Sequence, residues 1–240
     1  MTRNILVTGG GTGIGRAIAE HFAAQGDAVV VTGRRAEPLQ EMAAQNDKVR
    51  AVVCDHTDPA ALTRLLAELP GSIDVLVNNA GGNTDFDADA ATDLASYARG
   101  FRANLDANLV GAALTTRALK DRLSADGTVV QIGSIAADQG SGSYGAAKAG
   151  LASWNLSLAV ELGARGITAN VVSAGYIADT EFFRDHLSEE RRSTLISATA
   201  TGRAGTPEDI VGAVAFLASP AARHLTGQVL NVNGGAHMTR

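Results

Sequence analysis

The chain is short of cysteine, of lysine and of long apolar runs, and each shortage removes a class of explanation. Cys54 is the one cysteine among 240 residues. No intramolecular disulfide can form, and its place in the apolar run Val49 to Cys54 suits a buried strand thiol in a reducing compartment. The five histidines, at 21, 56, 186, 224 and 237, show no metal-ligand spacing among themselves or with Cys54, so no catalytic metal is expected. Neither lysine nor arginine forms a long run and the net charge is −5, which leaves no broad positive footprint for nucleic acid or a membrane surface. No basic stretch leads into a long apolar segment; we expect neither a secretory signal nor a transmembrane helix, and cytoplasmic residence by default. No Pro/Ser/Gly linker, low-complexity tract or repeat divides the sequence, so residues 1–240 are expected to form one domain.

What is present is a regular alternation. Runs rich in Val, Ile and Leu at Asn4 to Thr8, Ala28 to Thr32, Val49 to Cys54, Ile73 to Asn78, Thr128 to Gly133, Thr168 to Ser173 and Val229 to Val232 predict about seven strands. Stretches with helical spacing lie between them, among them Ile14 to Gln25, Ala60 to Leu69, Ala107 to Leu123 and Ala146 to Leu162. Strands with few polar interruptions, alternating with helices, indicate an α/β doubly wound parallel sheet with helices on both faces. A ligand then belongs at the carboxyl ends of the strands.

Three local patterns carry chemistry. After the first strand, Thr8-Gly-Gly-Gly-Thr12-Gly13-Ile14-Gly15 turns into a helix, with Gly9, Gly13 and Gly15 giving the tight turn and bare backbone that a pyrophosphate needs. A methyltransferase loop or a plain packing turn has the same look. At the end of the second strand stand Arg34 and Arg35, where an acidic residue would bind the ribose hydroxyls of NAD; guanidinium groups there suit the 2′-phosphate of NADP(H), with no carboxylate beside them in sequence. Solvated residues at a helix start are the alternative. Third, Tyr144 and Lys148 fall on one helix face, where the ammonium would lower the phenol pKa and ready it to protonate a nascent alkoxide. With only three lysines, at 48, 120 and 148, against seventeen arginines, lysine abundance does not explain the pair.

The order of these motifs resembles the short-chain dehydrogenase/reductase family, in its compact branch and of the 3-oxoacyl-carrier-protein reductase type. Thr8 to Gly15 matches the glycine motif, Asn78-Asn-Ala80-Gly81 the N-N-A-G motif and Tyr144 to Lys148 the Y-x-x-x-K motif, and the likeness runs down to Gly227 to Gly235. The resemblance implies a Rossmann-type fold and an NADPH-dependent oxidoreductase that interconverts a carbonyl compound, a ketone or aldehyde or else an imine or ketoacyl thioester, with its alcohol. It implies that Ser134 holds the substrate oxygen, Tyr144 transfers the proton, and Lys148 assists the phenol and bonds the nicotinamide ribose. Asn108, rather than Asn104, matches the asparagine that positions a relay water. Asp55 would bond the adenine, with a turn or helix cap as its other reading, and Asn78 would brace the strand beneath the nucleotide. Thr180 would contact the cofactor's phosphate or carboxamide, with a helix N-cap as its other reading, Ile177 would also touch the cofactor, and a lid at about 180–201, holding Phe182, Phe183, Leu187, Leu195 and Ile196, would cover the substrate. Family members are usually homotetramers, pairing helices that begin near Ala103 and Gly145 and the last strand; Ala146, Ala147, Ala149, Gly150 and Ala152 would allow close packing there.

Two departures qualify the likeness. Ser134 and Tyr144 are separated by ten positions, fewer than usual, through Gly140-Ser-Gly-Ser143, which makes Ser141 and Ser143 rival hydroxyls or simple turn formers. Ala174 replaces the usual proline before Gly175, which is expected to loosen the turn. They motivate an alternative, a catalytically weak NADP(H)-binding regulatory protein on the same fold; a methyltransferase explains neither Arg34 nor the Tyr144/Lys148 pair.

Overall fold

The computed structural model describes residues 2–239. In chain order the regular elements are β1 (Asn4–Thr8), α1 (Gly13–Ala24), β2 (Ala28–Gly33), α2 (Ala36–Gln45), β3 (Val49–Val53), α3 (Pro59–Glu68), β4 (Ile73–Asn78), α4 (Leu94–Leu105), α5 (Gly111–Leu119), β5 (Leu123–Ser134), α6 (Ala136–Gln139), α7 (Gly142–Gly163), β6 (Thr168–Ala174), α8 (Glu189–Ser197), α9 (Pro207–Leu217) and β7 (Val229–Val232). The strands form one parallel sheet in the order β3-β2-β1-β4-β5-β6-β7. Successive side chains of a strand face opposite ways, and β1 divides accordingly: Ile5 and Val7 join one core with Ile18 and Phe22 of α1, and Leu6 joins the other with Leu76 and Leu158. Because β1 lies between β2 and β4, the chain reverses its direction of winding there, and a crevice opens at their carboxyl ends.

Helix starts follow local chemistry. The Asp58 carboxylate accepts from the Ala60 amide and Pro59 opens α3, while Thr206 and Asp209 cap α9 reciprocally ahead of Pro207. His56, buried, bridges Thr32 of β2 and Thr115 of α5 through both ring nitrogens at 2.7 Å each. Burial lowers its pKa to about 4. Cys54 is buried too, and desolvation pushes its thiol up to about 11, the state of an inert core thiol.

Three elements differ from the sequence pattern. The helix expected from Ala107 begins at Leu94 instead, and α4 passes through a π-helical turn at Asp106–Val110 before continuing as α5. Gly100 and the polar Arg99, Arg102 and Asn104 obscure the periodicity there. Strand β5 starts at Leu123, not Thr128, because Leu123 pairs with Ile73 and Thr128 with Val75; an irregularity takes up the residues between, with Asp126 at φ 57°. Ala174 lies within β6, paired with Ser134 and Val232. Its carbonyl accepts from the Ile135 amide at 3.0 Å and the Gly175 amide bonds Val232 at 3.1 Å, so hydrogen bonds rather than a proline ring hold the turn. Among the described residues no helix is long and apolar enough to cross a membrane.

Candidate active site

At the end of β1 the chain turns through Gly9, at φ 64°, into α1. A Cβ on Gly9 would lie 2.9 Å from the Ala80 Cα, and one on Gly15 would collide with the Gly9 carbonyl oxygen and the Asn79 amide, so the loop is bare by steric necessity. Asn79 fixes it: its side-chain amide donates to the carbonyls of Thr8 and Gly9 at 3.1 and 3.0 Å, and the Thr8 hydroxyl accepts from the amides of Asn79 and Ala80 at 3.0 and 2.9 Å. Thr12 caps α1 in extended conformation, and its side chain makes no capping bond. Gly13 and Ile14 therefore open α1 with the helix N-terminus directed at the crevice, a cradle that fits a pyrophosphate. Thr180, whose hydroxyl donates to the Ile177 carbonyl at 3.2 Å, packs on Gly13, and buried Ile177 bridges to Gly205. Thr180 and Gly13, far apart in sequence, thus meet at one loop.

The other end of the crevice carries Arg34, Arg35 and Asp55. The Thr57 amide, the Thr57 hydroxyl and the Arg34 charge hold the Asp55 carboxyl below its usual range. These bonds form a turn at the end of β3. Arg35 corrects a sequence expectation: a carboxylate does stand beside it, Glu181, with Nη2 to Oε2 at 2.5 Å. It comes from 146 positions away, beyond the reach of local sequence. Beneath the crevice, the Asn78 side chain donates to the Thr116 hydroxyl at 2.8 Å and ties β4 to α5, and Ala80 and Gly81 follow along the floor.

Ser134 ends β5 and Tyr144 and Lys148 lie buried in the first turns of α7. Burial pushes the Tyr144 phenol up to about 12, and hydrogen bonding to the Ser134 side chain opposes that rise. Lys148 donates to the Ile132 carbonyl at 2.8 Å, and its Nζ stands 5.8 Å from the Tyr144 ring centroid. Burial lowers its pKa to about 8. The phenol is therefore raised where the sequence pattern expected it lowered, because desolvation penalises the phenolate and the ammonium alike. The short approach from Ser134 folds as the single turn α6 followed by Gly140 at φ 70° and Gly142 at φ 57°. Of the rival hydroxyls, Ser141 is exposed; Ser143 is buried and committed elsewhere, accepting from Asn104 at 2.8 Å and donating to Asp85 at 3.2 Å. Asn108 sits in the π-helical turn, where its side chain donates to the carbonyls of Gly82 and Asn104 and accepts from the Gly82 amide at 3.0 Å. Phe182, at 5.6 Å between ring centroids, covers Tyr144 and joins Phe86, Phe183 and His186 in an aromatic wall.

A family profile described as enoyl-(acyl carrier protein) reductase matches residues 9–237. The chain belongs to the short-chain dehydrogenase/reductase family. Among its relatives is the 3-oxoacyl-(acyl-carrier-protein) reductase FabG of Escherichia coli strain K12, 37% identical over 97% of this chain and 96% of that one. The corresponding reductase MabA of Mycobacterium avium is 38% identical over 99% and 91%. Among solved structures, a blue fluorescent protein from a metagenomic library in complex with NADPH superposes with a TM-score of 0.84 at 32% identity, over 98% of both chains. A dehydrogenase/reductase from Sinorhizobium meliloti 1021 gives 0.86 at 31%, over 99% and 96%.

Within this short-chain dehydrogenase/reductase, several residues that shape the crevice escaped the sequence pattern. Asn79 and Thr8 lay inside matched motifs, so their polar side chains next to glycines were the available signal. Asn104, fully buried, donates to Asp85 at 2.9 Å as well as to Ser143, and accepts from the Thr84 amide at 3.0 Å, tying the loop after β4 to the residue just before Tyr144. No spacing rule links 85, 104 and 143. The same holds for Phe182 over Tyr144. Among the described residues no group of three or more metal-ligating side chains occurs.

Proposed function

We propose that the protein is an NADPH-dependent reductase that converts a ketone or aldehyde, with 3-oxoacyl thioesters as the leading substrate class, into its alcohol, with Tyr144 as general acid. The observation that carries this is the convergence of the Ser134 hydroxyl, the Tyr144 phenol and the Lys148 amine at the carboxyl end of β5, in the crevice where the glycine loop lies. Gly9, Thr12, Gly13, Ile14 and Gly15 would hold the pyrophosphate, Arg34 and Arg35 the 2′-phosphate, and Asp55 the adenine. Asn78, Ala80 and Gly81 form the floor, with Ile177 and Thr180 at the nicotinamide end and Lys148 at its ribose. The NADPH-bound structural neighbour supports the cofactor, and the 3-oxoacyl reductases among the relatives support the substrate class.

When bound, NADPH supplies the hydride that adds to the carbonyl carbon. Ser134 donates a hydrogen bond to the substrate oxygen as charge develops there. The Tyr144 O–H bond breaks and its proton passes to that oxygen, leaving a phenolate that the Lys148 ammonium stabilises. A phenol with a pKa near 12 holds its proton at neutral pH, as this role requires. Asn108 acts as a positioning residue through Gly82 and the π-helical turn. The segment 180–201 serves as the lid, with Phe182 against the reacting end. Replacing Tyr144 by Phe is expected to lower kcat by about 10³-fold, within the usual range for general acids, while the Kd for NADPH stays within about two-fold. Undiminished turnover overturns the mechanism, and a reductase screen on 3-oxoacyl thioesters against simple ketones tests the substrate class.

The same proposal extends to a homotetramer in the cytoplasm, whose reducing conditions suit Cys54. Two separate apolar faces support the assembly: Leu156, Val160 and Val229 around the free edge of β7, and Leu94 and Tyr97 on α4. Of the small residues on α7, Ala147 is buried and a Cβ on Gly150 would meet Leu109 of the same chain at 2.9 Å, so these two pack within the subunit; Ala146 and Ala149 are exposed.

A further inference from the structure

Arg35 reaches across two boundaries at once. Its Nη2 lies 2.5 Å from Glu181 Oε2 and 3.4 Å from the Thr12 hydroxyl, so one guanidinium joins the end of β2, the glycine loop and the first residues of the lid. Both members of the ion pair are more than half exposed, with side-chain exposures of 62% and 56%. Such a pair is weak and readily exchanged, whereas a phosphate dianion offers more charge and three acceptor oxygens. Glu181 is also flanked by informative neighbours: Thr180 packs on Gly13, and the Phe182 ring lies over Tyr144.

We propose that Glu181 is an internal competitor of the cofactor's 2′-phosphate: it occupies Arg35 until that phosphate takes its place, and it thereby limits the preference of the site for NADPH over NADH. The proposal rests on the reading of Arg35 as a 2′-phosphate ligand and deepens it. NADH brings no group that can displace the carboxylate, and it leaves the ion pair intact. NADPH must break the pair, so the binding it gains from Arg35 is reduced by the strength of Arg35–Glu181. Release of Glu181 also frees the start of the lid when the correct cofactor is in place.

Titration calorimetry of the full chain with NADPH and with NADH, on wild type, Glu181→Gln, Arg35→Ala and the double variant, tests this. Surface ion pairs of this kind are worth up to about 1 kcal/mol, so Glu181→Gln is expected to tighten NADPH by up to about five-fold and to leave NADH unchanged. In the Arg35→Ala background the same substitution is expected to change neither. A Glu181→Gln effect that persists without Arg35 means simple repulsion of the phosphate and overturns the competition, as does an equal effect on both cofactors or none on either. Those outcomes leave Arg35 as a phosphate ligand provided Arg35→Ala itself weakens NADPH relative to NADH. If Arg35→Ala leaves that preference untouched, the reading of Arg35 fails, and the competition with it.

Discussion

A methyl group at Gly15 has nowhere to go, since it would meet both the Gly9 carbonyl and the amide of Asn79 that holds the loop. Gly15→Ala is therefore expected to weaken NADPH binding by more than about ten-fold, with backbone and Asn79 displaced together; unchanged affinity in a fluorescence titration would contradict the cradle. Under the proposed mechanism Lys148 sets a pH limit on the same site. Its buried amine has a pKa near 8, and only the ammonium can stabilise the Tyr144 phenolate. The charged form prevails below that value, so kcat for carbonyl reduction is expected to hold at neutral pH and fall as pH rises through about 8; a profile flat to pH 10 would remove the ammonium from the mechanism.

At the level of elements, His56 joins β2 to α5 as a neutral ring. Its folded pKa of about 4 lies below the ordinary 6.5, so the unfolded chain binds the additional proton between those values. The contribution is present above pH 6.5 and is lost as pH falls toward 4. Melting temperatures of His56→Gln are expected to decline less steeply than wild type across that window, and parallel curves would refute the account. The strands were legible in sequence because both of their faces are buried and their centres are unbroken apolar runs, Ile5-Leu6-Val7 in β1 and Val75-Leu76-Val77 in β4. Helix α4 was not, since its exposed surface mixes Leu94 and Tyr97 with Arg99 and Arg102 and Gly100 interrupts it, and the π-helical turn that follows shifts the spacing by a residue. The candidate site divides in the same way. Gly9, Ser134, Tyr144 and Lys148 sit in short motifs whose chemistry depends on local spacing. Glu181, Phe182 and the Asp85–Asn104–Ser143 tie depend on contacts between distant segments, which no window of sequence contains.

For the whole molecule, the sheet leaves β7 with one unpaired edge beside Val160 of α7, which is 82% exposed. In the proposed homotetramer a second copy of the chain would cover that edge. Val160→Arg is expected to shift the mass measured by light scattering from tetramer to a smaller species without loss of NADPH binding; a tetramer that persists would move the interface elsewhere. The residues Thr180, Glu181 and Phe182 finally bear on the order of events in turnover. One tripeptide rests on the glycine loop, on Arg35 and on the Tyr144 ring, so under the proposed mechanism filling the nucleotide end is expected to reset the space above Tyr144. Steady-state kinetics should then be compulsory-order, nucleotide first on and last off, with NADP⁺ competing against NADPH and the alcohol product competing against neither.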